Sequence, residues 1–434
     1  MSARPNHRPP TGPRRAESGG QQLPLDGRGL AEFVLRLTRA IGAAPDEAAP
    51  TMARLLRQSG GVAPRDGYWA RLWTRAALRH WLVAAQSGAQ IAERAVLRAA
   101  RLDDALRTMP YEVPFLFLEQ RASFTSERAA AWLAAPLPDH LRLGVSEALW
   151  EEVATEEREA FFAASMLEPP LTVRLQPGAE AQARCIASLE RDGLVATPNR
   201  WSRAAFDLSG QRHLFETEAF GKGWLEVQDG SSQALADAIA ALAPPEARLL
   251  DLCAGRGGKS LALAAARPDL HIVATDLSIG RLSELPARAA RAGARRLVVR
   301  PELAAQGLGD TPPFELVLAD APCTGAGTLR RHPELRLRDA DAALRDAVAA
   351  QREVLRSAWQ KTAPGGLLIY ATCSVIAEEN EDQIAAFVAA TPDVRLEQLV
   401  APEAPNATPA GALRFWPQRH GTDGFFAAAI RRIA

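Results

Sequence analysis

No run of apolar residues in this chain is long enough to cross a bilayer, and its N-terminus lacks the apolar core of a secretory signal. Those absences exclude a helical membrane span and an exported protein, so the cytoplasm, where thiols stay reduced, is the expected compartment. Cysteine is scarce. Four in 434 residues build no disulfide framework, and no pair has the close Cys-x-x-Cys spacing of a zinc site. No metal is expected. Net charge is missing too, 51 basic side chains matching 51 acidic ones, so any hold on nucleic acid must come from local patches. No internal repeat stands out.

What the chain does have is length: too much for one core, and enough for two or three domains. Residues 1–22 carry Arg4, Arg8, Arg14 and Arg15 among Pro, Gly, Asn and Ser, and read as a disordered basic tail. Residues 23–150 read as all-α, with Leu30, Phe33, Val34, Leu37 and Ile41 forming one apolar stripe at helical spacing. A second helix is expected from about Asp66 to Ala85, with Trp69, Leu72, Trp73, Ala76 and Ala77 on one side. Arg71, Arg75 and Arg79 lie four apart and share another face. They either track an RNA backbone or form a solvated face. Residues 151–225 turn mixed: Leu171 to Leu175 alternates like a strand and 179–192 is helical. This reads as a small α+β insert, a further candidate for holding RNA.

From residue 226 to 434 the pattern becomes βαβ. A strand over 247–252 runs into the glycine-rich turn Cys253-Ala-Gly-Arg-Gly-Gly-Lys-Ser260, and the next strand ends in Asp276. Such a turn lets the backbone approach a ligand and aims helix N–H groups at it, while an acid some 20 residues on suits ribose hydroxyls. A Walker A loop would need glycine where Cys253 stands. A dinucleotide fingerprint would need glycine at Ser260. The spacing Asp251-x-Cys253-x-Gly255-x-Gly257 is instead that of S-adenosylmethionine-binding turns.

Two more strands each run into a cysteine. Leu318-Ala-Asp-Ala-Pro-Cys323-Thr-Gly325 and Ile369-Tyr-Ala-Thr-Cys373-Ser374 begin apolar and break into small or polar residues. In a parallel sheet both thiols would stand at the carboxyl edge, where ligands bind. Two thiols there point to covalent chemistry on an electrophilic carbon. For Cys185 a buried apolar role is the better reading.

The run from Asp251 to Ser260, the run Asp320-Ala-Pro-Cys-Thr-Gly-Ala-Gly-Thr-Leu-Arg-Arg-His-Pro-Glu334, and Ala371-Thr-Cys-Ser374 followed by Glu379-Asn380-Glu381 resemble the motifs of the NOL/NOP/Sun family of RNA cytosine-C5 methyltransferases. Val227-Gln228-Asp229, Ser231-Ser232-Gln233 and Gly421-Thr422-Asp423-Gly424-Phe425-Phe426 are similar as well. The resemblance covers about residues 165–434. The helical N-terminus, with Pro64-Arg65-Asp66 opening a Trp/Arg helix that ends in Leu78-Arg79-His80, more loosely resembles the NusB-like RNA-binding domain of bacterial rRNA members.

The resemblance implies a multi-domain protein: an N-terminal all-α, NusB-like domain, the small α+β insert, and a C-terminal α/β Rossmann-like class I methyltransferase domain. It implies Cys373 as the nucleophile that adds to carbon 6 of cytosine, so that carbon 5 can attack a methylsulfonium. Cys323 would assist release, when the carbon-5 proton is removed. Asp320 would grip the cytosine edge, and Lys259 would orient these groups or lower a thiol pKa. Contacts to S-adenosylmethionine fall on Cys253, Ala254, Gly255, Arg256, Gly257, Gly258, Lys259, Asp276 and Asp320. The chain departs from the family at Gly255-Arg256, where Ala-Pro is frequent, and at Glu302, where an aspartate is usual; Glu302 either reaches the adenine amine or marks a degraded position. A second cysteine in Thr-Cys-Ser favours RNA over DNA. The implied substrate is 16S rRNA, acted on by a monomer; tRNA, or a non-catalytic role in ribosome assembly, are the alternatives.

Overall fold

The computed structural model describes residues 27–58, 64–86, 90–102, 115–123, 125–210, 214–305, 309, 311–401 and 411–433. The arginine-rich stretch 1–22 lies outside the described residues. The apolar stripe of α1 (Gly27–Ala43) is buried at Leu30, Phe33, Val34, Leu37 and Ile41. It packs with α2 (Pro64–Arg79) and α3 (Ile91–Leu102) around Trp69, Trp73 and Leu97. Helix α2 is shorter than its periodicity suggests, because a turn at His80 separates it from the short helix Trp81–Gln86.

The arginine stripe needs correction. Arg79 is fully buried, with Nη2 2.6 Å from Glu168 Oε2 and 3.3 Å from the Arg330 carbonyl oxygen. Arg75 pairs with the other oxygen of Glu168. Arg79 thus faces protein, not solvent or RNA, and Arg75, half-buried, is tied to the same glutamate. A buried guanidinium needs a counter-charge, and Glu168 supplies it from 89 residues away.

Helices continue to α4 (Thr155–Ser165). A four-stranded antiparallel sheet then occupies β1 (Leu171–Leu175), β2 (Leu194–Pro198), β3 (Ala205–Gly210) and β4 (Leu225–Val227), in the order β2-β3-β1-β4. Helix α5 (Ala179–Arg191) closes its core with Val173, Leu189 and Phe206. Cys185 is part of that core, and burial pushes its thiol up to about 11.

The large sheet is built from β5 (Arg248–Asp251), β6 (His271–Ala274), β7 (Leu297–Val299), β8 (Phe314–Asp320), β9 (Thr362–Thr372), β10 (Val394–Glu397), β11 (Leu413–Phe415) and β12 (Phe425–Arg432). Its order is β10-β12-β9-β8-β5-β6-β7, with β11 paired to β12. The five strands from β7 to β9 are parallel, while β12 runs antiparallel to β9. The central strands are apolar on both sides because both faces are covered. Leu249, Leu316, Leu318 and Ile369 face α6 (Gly230–Leu242) and α7 (Gly258–Ala266). Leu250, Val317, Leu368 and Tyr370 face α8 (Ala340–Lys361) and α9 (Glu381–Ala390). A further cluster joins Leu143, Phe161 and Phe162 of the helical part to Ala326, Leu329, Val375 and Trp416 of the large domain.

Candidate active site

Because β5, β6, β8 and β9 are parallel, their carboxyl ends lie along one edge, and the chain reverses direction about β5 there. Asp320 ends β8. The ladder runs one residue further, Ala321 N–H donating to the Ala371 carbonyl at 2.8 Å, so the two cysteine loops leave the sheet side by side. Their sulfurs, Cys323 Sγ and Cys373 Sγ, stand 3.3 Å apart. The Cys323 thiol is pushed well up by its hydrogen bond with Cys373, then by burial and the charges of Cys373 and Glu379. It therefore holds its proton at neutral pH.

Lys259, on the first turn of α7, donates to Asp320 Oδ2 at 2.6 Å and lies 5.2 Å from the centre of the Phe425 ring. Burial works against its charge, but Asp320, then Cys373 and Asp251, outweigh that and hold the ammonium above its ordinary value. A lasting cation therefore sits beside both the carboxylate and the Cys373 sulfur.

The glycine-rich turn has the geometry its residues demand. Gly257 is left-handed at φ 80°, and a Cβ there would lie 2.1 Å from Leu285 Cδ1. Gly255 is also left-handed, at φ 55°, and its Cβ position opens on free space. Asp276, 3 % exposed, accepts from Gly255 N–H at 2.8 Å and from Ser278 N–H at 2.7 Å. It thus braces the turn, and Arg281 reaches its other side at 3.3 Å. Leu277, next in the chain, is 84 % exposed. Asp251 accepts from Ser260 Oγ at 2.6 Å, and burial pushes its carboxyl up to about 7. Burial first, then Asp251, also drives Cys253 far above an ordinary thiol, so it sits in the turn as a neutral group. Gln228 donates to the Gly258 carbonyl at 3.1 Å and accepts from Arg174 at 3.1 Å, tying turn to insert.

Lys259, Asp320, Cys323 and Cys373 are brought together at one point, with the turn from Cys253 to Gly258 and Asp276 along the same edge. Arg256 points away to Glu284 at 3.4 Å. Glu302 opens a short helix after β7 with its carboxylate engaged by Arg300, and Arg300 holds that carboxyl below its usual range. Two positions had no assigned role in the sequence. Asp229 caps α6 through Ser231 N–H at 2.9 Å and, with Asp423, clamps Arg331 at 2.9 and 2.7 Å. Glu379 is fully buried between the cysteine loops. Only their place in matching motifs marked them. Among the described residues, no cluster of His, Cys, Asp and Glu could hold a metal ion, and no helix is long and apolar enough to cross a membrane.

A mixed sheet in this strand order, with a glycine-rich turn after its central strand, is the architecture of Rossmann-like class I methyltransferases. Within that class, residues 239–431 match the family described as 16S rRNA methyltransferase RsmB/F. A Xanthomonas campestris protein, ribosomal RNA small subunit methyltransferase B, is 34 % identical over 64 % of this chain and 64 % of its own length. The chain therefore matches less than two thirds of that relative. The crystal structure of a methyltransferase homolog protein from Pyrococcus horikoshii is 28 % identical, with a TM-score of 0.56 over 68 % of this chain and 98 % of that one. The crystal structure of PH0851 superposes with a TM-score of 0.75 over 95 % of this chain and 100 % of that one at 22 % identity, a likeness of fold.

Proposed function

We propose that this chain methylates carbon 5 of a cytosine in 16S rRNA, with Cys373 as nucleophile and S-adenosylmethionine as methyl donor. The observation that carries the reading is the pair of sulfurs 3.3 Å apart, beside a carboxylate held by a lysine at 2.6 Å. One carbon under attack needs one thiol; a second within contact of the first suits a reaction that must also undo its own covalent bond.

The residues present fit the donor. The open Gly255 position, the N-terminus of α7, the braced Asp276 and exposed Leu277 offer backbone, carboxylate and apolar surface to a nucleoside. When bound, it supplies an electrophilic methyl group. Glu302 is a weaker candidate for this site, its carboxylate being taken by Arg300.

Cys373 adds to carbon 6 of an unstacked cytosine while Asp320, oriented by Lys259, grips N3 and the amino edge. After carbon 5 is methylated, its proton must leave and the Cys373 sulfur must depart as thiolate. A base takes the carbon-5 proton, and Cys323, 3.3 Å from that sulfur and still carrying its own proton, assists release by hydrogen-bonding the departing Cys373 thiolate. The helical part and the small insert are the remaining surfaces for RNA.

Bisulfite sequencing of total RNA from a deletion strain tests the reading. One cytosine of 16S rRNA should lose protection and regain it with the wild-type gene. Loss confined to tRNA, or at no position, overturns it.

A further inference from the structure

We propose that Glu379 is a positioning residue that sets the spacing between the two thiols, a role that rests on reading Cys323 and Cys373 as the reacting pair. Its carboxylate is fully buried. Oε1 accepts from Thr324 N–H at 2.8 Å and from Gln351 Nε2 at 3.0 Å. Oε2 accepts from the Thr324 hydroxyl at 2.6 Å and from the Ser374 hydroxyl. Thr324 follows Cys323, and Ser374 follows Cys373. One carboxylate therefore grips the residue after each sulfur.

The residue type follows from the donors. Four of them converge, and an ionised carboxylate is a side chain with acceptors on both oxygens and no hydrogen of its own. An amide would aim N–H groups at two of the donors. Glu379 is itself anchored: its carbonyl accepts from the Tyr370 hydroxyl at 2.6 Å. Its neighbour Asn380 accepts from Thr372 Oγ1 at 2.6 Å and donates to the Ser374 carbonyl at 3.1 Å. The two sulfurs lie 50 residues apart in the chain; the β8–β9 ladder brings their loops side by side, and these cross-ties fix the spacing beyond it. One must reach carbon 6 while the other stays within hydrogen-bonding reach of it as it departs, and a misplacement of about 1 Å can cost roughly 100-fold in rate.

The spacing can be read without turnover. Diamide oxidises neighbouring thiols: each sulfur gives up one proton and one electron, the S–S bond forms, and the azo group takes up the two protons and two electrons to become a hydrazine. In the full-length chain Cys323 and Cys373 should link quickly, measured as a linked peptide pair by mass spectrometry. Glu379→Gln, with an unchanged melting temperature, should link at least about tenfold more slowly. Its kcat for methylation should fall about 100-fold with KM for RNA unchanged. Thr324→Val removes one hydroxyl donor, should link severalfold more slowly, and decides the question if Glu379→Gln does not fold. Linking at the wild-type rate in the folded Glu379→Gln protein, or in Thr324→Val where the first variant unfolds, overturns the proposal. If the wild type methylates no RNA yet linking still slows in the variant, the methylation reading fails and the positioning role stands.

Discussion

Cys373 and Cys323 share one environment, so their roles separate by chemistry and not by location. In the proposed reaction only the nucleophile is needed to form the bond to carbon 6. Cys373→Ala should therefore abolish methylation and also covalent trapping on RNA that carries 5-azacytosine. Trapping retained by that variant and lost in a Cys323 variant would exchange the two roles. Cys323→Ala should form the bond and stall before elimination, so protein attached to ordinary RNA accumulates. A slow, nuclease-sensitive band in denaturing gels reports it. Turnover at the wild-type rate in Cys323→Ala would leave that thiol a structural part only.

Among the elements, the loops after β8 and β9 are held by backbone as well as by side chains. Gly327 N–H donates to the Cys373 carbonyl at 2.9 Å, and Gly424 N–H to the Gly327 carbonyl at 2.8 Å. A Cβ on Gly327 would lie 2.2 Å from Gly424 O and 2.8 Å from Cys373 O, both backbone atoms that cannot swing aside. Gly327→Ala should cost about 1–3 kcal/mol of stability and displace Cys373. Gly280→Ala, whose Cβ meets nothing within 4 Å, should stay within about 0.5 kcal/mol of wild type. Equal denaturation midpoints for the two would sink the argument. The strands carrying these loops were legible in sequence because apolar runs such as Leu316 to Ala319, buried on both faces, stop at small or polar residues. The grip of Glu379 was not. It entered only as part of a matching motif, and its donors Thr324 and Gln351 lie 55 and 28 residues away. Arg79 was hidden in the same way, a regular arginine spacing whose meaning depends on a distant glutamate.

At the scale of the whole molecule, the helical part is stitched to the segment that follows Cys323. Arg336 donates to the Leu143 carbonyl at 2.8 Å and to Ser165 O and Oγ at 2.8 and 2.6 Å. Arg330 donates to the carbonyls of Gly421 and Thr422 at 2.8 and 2.5 Å, and Arg79 to that of Arg330. His80 is buried in this seam, 6 % exposed. Burial, then the charges of Arg98, Arg79 and Arg336, lower its pKa to about 3, because an imidazolium would be desolvated among cations. In the unfolded chain the same ring takes up a proton near 6.5. The unfolded state therefore binds more protons below that pH, so the stabilisation is complete above about 6.5 and drains away as pH falls toward 3. The loss is about 1.4 kcal/mol per pH unit, or about 2 kcal/mol by pH 5. His420, lowered to about 4 by burial, adds a slope of the same sign, so the comparison must be with a His80 variant. Urea denaturation at pH 7.5, 6 and 5 should give a shallower decline for His80→Gln than for the wild type. Parallel declines would mean that His80 takes up its proton in the folded seam, and that the packing of helices against the segment after Cys323 opens more readily than these contacts imply.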